Sequence, residues 1–178
     1  MATVSWGAPT LEFMKLSSSV KVPPTGSWTG QSGYFQIKGE VLLEDSSQLN
    51  TTEGETKSLR NEKGEDVDRK QMPASYQFQT SVIKKKGESL VQNGLSPVNG
   101  VVAGDWAMRL IPEDPATTGF IFRKCSIGTS KGWSADQGAL DNLTVNGLVP
   151  DSTAGDSEIC KDYVHGGSGS GSGSGNGN

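Results

Sequence analysis

At 178 residues, with a formal charge of −4 and a pI of about 5.0, the chain suits one domain, and its acidity argues against a tightly held nucleic acid, which needs clustered cations. No stretch approaches the roughly 20 apolar residues of a membrane helix. The opening MATVSWGAPTLEF has no basic region followed by an apolar run, so neither a membrane partner nor secretion by a signal peptide is expected, and synthesis in a cytoplasm is.

Strand signals dominate in chain order. Val4 and Trp6, then Leu11 and Phe13, alternate with small or polar neighbours across a break at Gly7-Ala8-Pro9. VPPTGSWTGQSG is loop, because Pro23-Pro24, Gly26, Gly30 and Gly33 resist regular structure. YFQIKGEVLLED is read as a strand, with Tyr34, Gln36 and Lys38 on one face, Phe35 and Ile37 on the other, and a bulge or bend at Gly39. Residues 46–73 are then read as a charged arm loop, too long for a tight hairpin and too charged for a core.

The clearest period-two signal follows in ASYQFQTSVIKKKG, with Tyr76, Phe78, Thr80 and Val82 on one face. Lys84-Lys85-Lys86 ends that strand and reads as a solubilising or edge-protecting cluster. ESLVQNGLSPVNG is taken as loop. GDWAMRLIPEDP places Trp106, Met108 and Leu110 on one face, with stops at Pro112 and Pro115. TGFIFRKCSIG sets Phe120 and Phe122 opposite Ile121, Arg123, Cys125 and Ile127, and ALDNLTVNGLVP sets Leu143, Val145 and Val149 against Thr144 and Asn146.

The expectation is therefore all-β, a β-sandwich or barrel of about six to seven strands. Helix is confined to a short turn within 112–118 or 93–103. Residues 1–163 form a single β domain with the charged arm at 46–73, and the Gly/Ser-rich 164–178 is a flexible tail outside the fold. Cys125 and Cys160 are expected to be free thiols, with a bridge as the alternative.

Residues for catalysis are scarce. The single histidine, His165, adjoins the tail, and a nucleophile–His–acid arrangement needs an oriented imidazole. No Cys-x-x-Cys or His-x-x-x-His spacing marks a zinc site. Asp151, Asp156 and Glu158 offer oxygen ligands but not the spacing of a calcium loop, and read better as an acidic solvated turn. Gly26, Gly30 and Gly33 lack the Lys and Ser/Thr that close a phosphate loop. Hence no catalytic residue, no metal and no cofactor is expected, and the chain is read as not an enzyme.

Two surfaces remain. The arm carries Glu53, Glu55, Lys57, Arg60, Glu62, Lys63, Glu65, Asp66, Asp68, Arg69 and Lys70, a mixed-sign run that suits an intersubunit strip. Of four tryptophans, Trp106 reads as core and Trp133 is ambiguous. Trp28 lies among Gly and Thr as the candidate exposed binding aromatic, against the alternative of a lid packed over one end of the domain.

TTEGETKSLRNEKGEDVDRKQMPASYQFQTSVIKKKGE, followed by GVVAGDWAMRLIPEDPATTGFIF, resembles the tail tube (major tail) proteins of phages and prophages of Bacteroides-type bacteria. The resemblance runs over about 4–150. It rests on Thr-Thr-x-Gly-x-x-Lys at Thr51–Lys57, the charged arm, the Tyr76/Phe78 strand, and the Gly104–Pro115 strand ending in Pro-Glu-Asp-Pro. It implies a sandwich or barrel, six copies in a ring, and rings stacked into a tube through which DNA passes transiently. It further implies other phage tail proteins as partners and the virion tail as location. The Gly-rich loop before Tyr34 and the segment after Pro150 depart from that pattern. The competing expectation is a β-sandwich binding module for carbohydrate or a host surface, using Trp28.

Overall fold

The computed structural model describes residues 7–86, 89–114, 116–151 and 156–164. The strands at Val4/Trp6, the stop at Pro115, His165 and the Gly/Ser tail lie outside them. The fold is all-β. Among the described residues ten strands follow in order: β1 (Thr10–Lys15), β2 (Phe35–Ile37), β3 (Gln48–Thr52), β4 (Thr56–Arg60), β5 (Asp66–Gln71), β6 (Ser75–Ile83), β7 (Trp106–Ile111), β8 (Gly119–Ser134), β9 (Gly138–Gly147) and β10 (Cys160–Tyr163). One antiparallel sheet runs β2-β1-β7-β8-β9-β6-β3, with β10 continuing beside β8 where β9 leaves off, and β4-β5 form a second, two-stranded sheet.

The sheet curls without closing into a barrel. Leu11, Phe13 and Ile37 from one end of the strand order and Phe78 and Val82 from the other share a single core with Met108, Phe122, Leu143 and Val145. Residues that follow β2 bridge the two ends: Leu42 pairs with Val82, and the Leu43 N–H donates to the Ser81 carbonyl at 2.8 Å. Aromatic contacts line the interior. Phe13 stacks on Phe35 at 4.8 Å, and Phe120 lies 5.4 and 5.2 Å from Phe78 and Phe122. Each such pair adds about 0.5–1.5 kcal/mol beyond its buried area.

Several expectations are corrected. The strand at Tyr34 covers only Phe35–Ile37 and then turns into a 3-10 turn at Gly39–Val41. Gly39 sits where two chain segments meet, since a Cβ there would lie 2.3 Å from the Ala8 Cβ. Helix occurs earlier than expected, as α1 (Leu90–Leu95). Ser89 caps it by accepting from the Gln92 N–H, and Val91 and Leu95, four apart, are both buried in the core.

Strict alternation in β8 fails because of a bulge. Trp106 faces Cys125 but Met108 faces Phe122, two residues on in β7 against three back in β8. The extra residue, at 123–124, resets the parity, so Phe122, Cys125 and Ile127 all reach the core. Val149, expected to follow Leu143 and Val145 inward, is exposed beyond the end of β9.

Candidate functional site

The segment expected to be an arm loop is a β-ribbon. β3 pairs with β6, β4 pairs with β5, and the register does not change between them. Thr52 faces Ser75; four residues on in one strand and four back in the other, Thr56 faces Gln71. Across the interruption the Met72 N–H still donates to the Glu55 carbonyl at 2.9 Å. Gly54 makes the join possible, since a Cβ there would lie 1.8 Å from the Met72 carbonyl oxygen.

The tip is a tight turn with its own chemistry. The Gly64 N–H donates to the Asn61 carbonyl at 2.9 Å, and the Asn61 Oδ1 accepts from the Lys63 and Glu65 N–H groups at 3.0 and 2.9 Å. Gly64 holds φ at +81°, a value that glycine adopts without strain. An Asn-x-x-Gly turn inside a charged run is thus the signal that distinguishes a hairpin from a loop here.

Every residue of β4 and β5 is exposed. Among the described residues, their side-chain hydrogen bonds and ion pairs stay within the ribbon. On one face Asp66 takes Arg60 at 3.0 Å and Arg69 at 2.6 Å. Exposed pairs of this kind contribute about 0–1 kcal/mol. On the other face Lys57 is set directly opposite Lys70, next to Leu59 opposite Asp68. Neither lysine has an ion-pair partner among the described residues. Glu53 lies between β3 and β4, and Glu62, Lys63 and Glu65 belong to the tip. Val67 is the extra residue of a bulge where the register shifts by one. Leu59 and Val67 are 67% and 63% exposed.

The ribbon rises beside an open groove of about 950 Å³ at one end of the core. Leu42, Leu49, Phe78, Leu110 and Phe120 supply its apolar lining, and Glu44, Asp45 and Asp162 its acidic lining. The groove was not legible in the sequence, because its walls come from five separated segments that only the curled sheet brings together.

Trp28 is fully buried (0% exposed), which corrects the expectation of an exposed binding aromatic. It lies against Met14, Leu16 and Ala107 on the outer face of β1 and β7, and its Nε1–H donates to the Pro24 carbonyl at 2.9 Å. Beneath it the Arg109 guanidinium is 4.3 Å from the indole and 5.1 Å from the Tyr163 ring. Arg109 is paired with Glu12, donates to the Gly26 carbonyl at 2.9 Å, and Glu12 accepts from the Tyr34 hydroxyl at 2.9 Å. Burial, with the Glu12 carboxylate beside it, raises the Tyr34 pKa. This network straps the Gly-rich loop to the sheet. The signal for it was present: Glu12 and Arg109 stand in the middle of the apolar strands LEFMK and WAMRLI. Trp133, left ambiguous by the sequence, is 77% exposed near the β8–β9 turn.

Asp151 and Asp156 meet cations of the protein itself. Asp156 pairs with Arg123 and Lys161, both at 2.9 Å, and Asp151 with Lys124 at 3.0 Å. The Lys161 hydrogen bond, helped by the Glu158 N–H and Arg123, holds the Asp156 carboxyl down at about 2. The Asp151 contact raises the Lys124 pKa. Among the described residues no group of three or more His, Cys, Asp or Glu is placed to hold a metal ion, and no helix is long and apolar enough to cross a membrane. Cys125 and Cys160 are free thiols. Burial pushes the Cys125 pKa far up and that of Cys160 up to about 11, the latter with Asp162 and Glu158 adding to it.

No protein-family model matches this sequence, and no curated protein matches it significantly.

Proposed function

We propose that this chain is a structural subunit that assembles with copies of itself into rings, and that the rings stack as a tail-tube-like conduit for DNA within a phage-type virion. Other tail proteins would meet the ends of the tube. The observation that carries the reading is the ribbon. A two-stranded hairpin is marginally stable alone in water, yet this one bears exposed Leu59 and Val67 and lays no face on its own domain. Such a projection gains stability from a neighbour. Head-to-tail contacts between identical subunits close into rings or propagate as stacks, and from Thr52 to Asn61 the ribbon reaches roughly 30 Å at about 3.3 Å per residue. That is close to the width of a domain of this size. The acidic charge suits a channel that DNA passes without sticking. The competing binding-module reading loses Trp28, which is buried, and keeps only the exposed Trp133 as an aromatic contact.

The test is negative-stain electron microscopy with solution mass, on the whole chain and on a variant in which 53–74 is replaced by Asn-Gly. That excision leaves Thr52 facing Ser75 across a two-residue turn. Rings or tubes roughly 10 nm wide are expected from the whole chain, on packing six such domains around a channel. The excised variant should keep the β circular dichroism but lose stacking. A strictly monomeric whole chain, or an excised variant that assembles normally, would sink the proposal.

A further inference from the structure

We infer that the ribbon of one copy docks in the groove of the next, with Lys57 and Lys70 meeting the acidic side chains of that groove. This rests on the assembly reading above and names the two surfaces it uses.

Three observations converge. Like charges directly opposite in an antiparallel pair destabilise it, and Lys57 faces Lys70 with no carboxylate partner among the described residues. The same ribbon face carries Leu59, which is exposed, and opposite it Asp68, whose carboxylate accepts from the Arg69 N–H at 2.8 Å. A partner for this face should therefore offer an apolar floor and carboxylates beside it. The groove has both: Leu42, Leu49 and Phe120 on its walls, and Glu44, Asp45 and Asp162 among its lining. Those three carboxylates form no ion pair among the described residues. The unmatched cations and the unmatched anions sit on different parts of one molecule.

The occupant is a second copy and not the chain's own ribbon. Leu49 and Phe78 are part of the groove wall and also of the strand pair from which the ribbon leaves. The register is unchanged from that pair into the start of the ribbon, which extends the ribbon away from its own base and sets its tip roughly 30 Å off. The contact is heterologous, ribbon to groove, so each copy gives one and receives one, as ring closure or stacking requires.

Charge reversal tests the pairing. K57E/K70E and E44K/D45K should each abolish assembly at concentrations where the unmodified chain assembles, and the four changes in one chain should restore it. A photo-crosslinker in place of Leu59 should join two chains, with the cross-linked peptide falling within 42–49 or 110–120. Assemblies that survive both reversals, or crosslinks from position 59 to another surface, would overturn the docking inference and leave the assembly reading standing. An unmodified chain that stays monomeric would overturn both.

Discussion

At the scale of single residues, the least replaceable polar contact is the pair of Glu12 with Arg109, both almost fully buried under Trp28. Removing one partner of such a pair strands the other charge away from water. Glu12→Ala should cost about 3–5 kcal/mol, read from the shift in a urea unfolding curve. Glu12→Leu combined with Arg109→Met should recover most of that loss, because the apolar pair removes both desolvation costs together. If the double variant were as unstable as the single one, the strap role of Arg109 through Gly26 and Trp28 would outweigh its charge. The sequence sets Glu12 and Arg109 as charges inside apolar strands, a signal that the sequence reading passed over. It could not mark them as partners, since 97 residues separate them and only the β1–β7 register sets one beside the other.

At the scale of elements, β10 depends on charge more than on core. Cys160 is half-buried, and the segment leading to it is tied by Asp156 to Arg123 and Lys161. Asp156 has its pKa depressed from 3.8 to about 2 in the folded chain, so its contribution is complete above the unfolded value and lost as pH falls through the folded one. Lowering pH from 4 to 2 should reduce the amide protection factors, corrected for the intrinsic exchange rate, in 156–163 before it does so in β7 or β9, and Asp156→Asn should make that segment exchange faster at pH 6 as well. Uniform exchange across the sheet would show that the ties do not act locally.

A strand with alternating apolar residues, such as β6, was legible because one buried face imposes period two. The ribbon was not. Both of its faces are wet, so nothing in its pattern distinguishes strand from loop, and only Asn61 and Gly64 at its tip betray the turn. The bulge in β8 was equally hidden, because the extra residue, at Arg123–Lys124, only looks like one more alternation.

At the scale of the whole molecule, the described residues divide into a body built around a buried apolar core and a ribbon that contributes nothing to it. If contacts between copies join the lysines of one to the carboxylates of the next, they should weaken with salt, since screening shortens from about 10 Å at 0.1 M to about 3 Å at 1 M. The solution mass at 1 M NaCl should fall towards that of the monomer, while circular dichroism stays unchanged. Assemblies that persist undiminished at that salt would place the stabilisation in Leu59 and Val67 alone.

The register that runs unchanged from β3–β6 into the ribbon as far as Leu59 also sets which lengths the ribbon can have. Removing one residue from each strand would turn every side chain to the opposite face, exchanging Lys57 and Leu59 with Ser58 and Arg60. Removing two from each strand would keep the faces and draw the tip in by roughly 7 Å. The reach of this subunit is therefore adjustable only in discrete steps, so variants of the same body with longer or shorter ribbons would set the spacing between neighbours like notches on a rule.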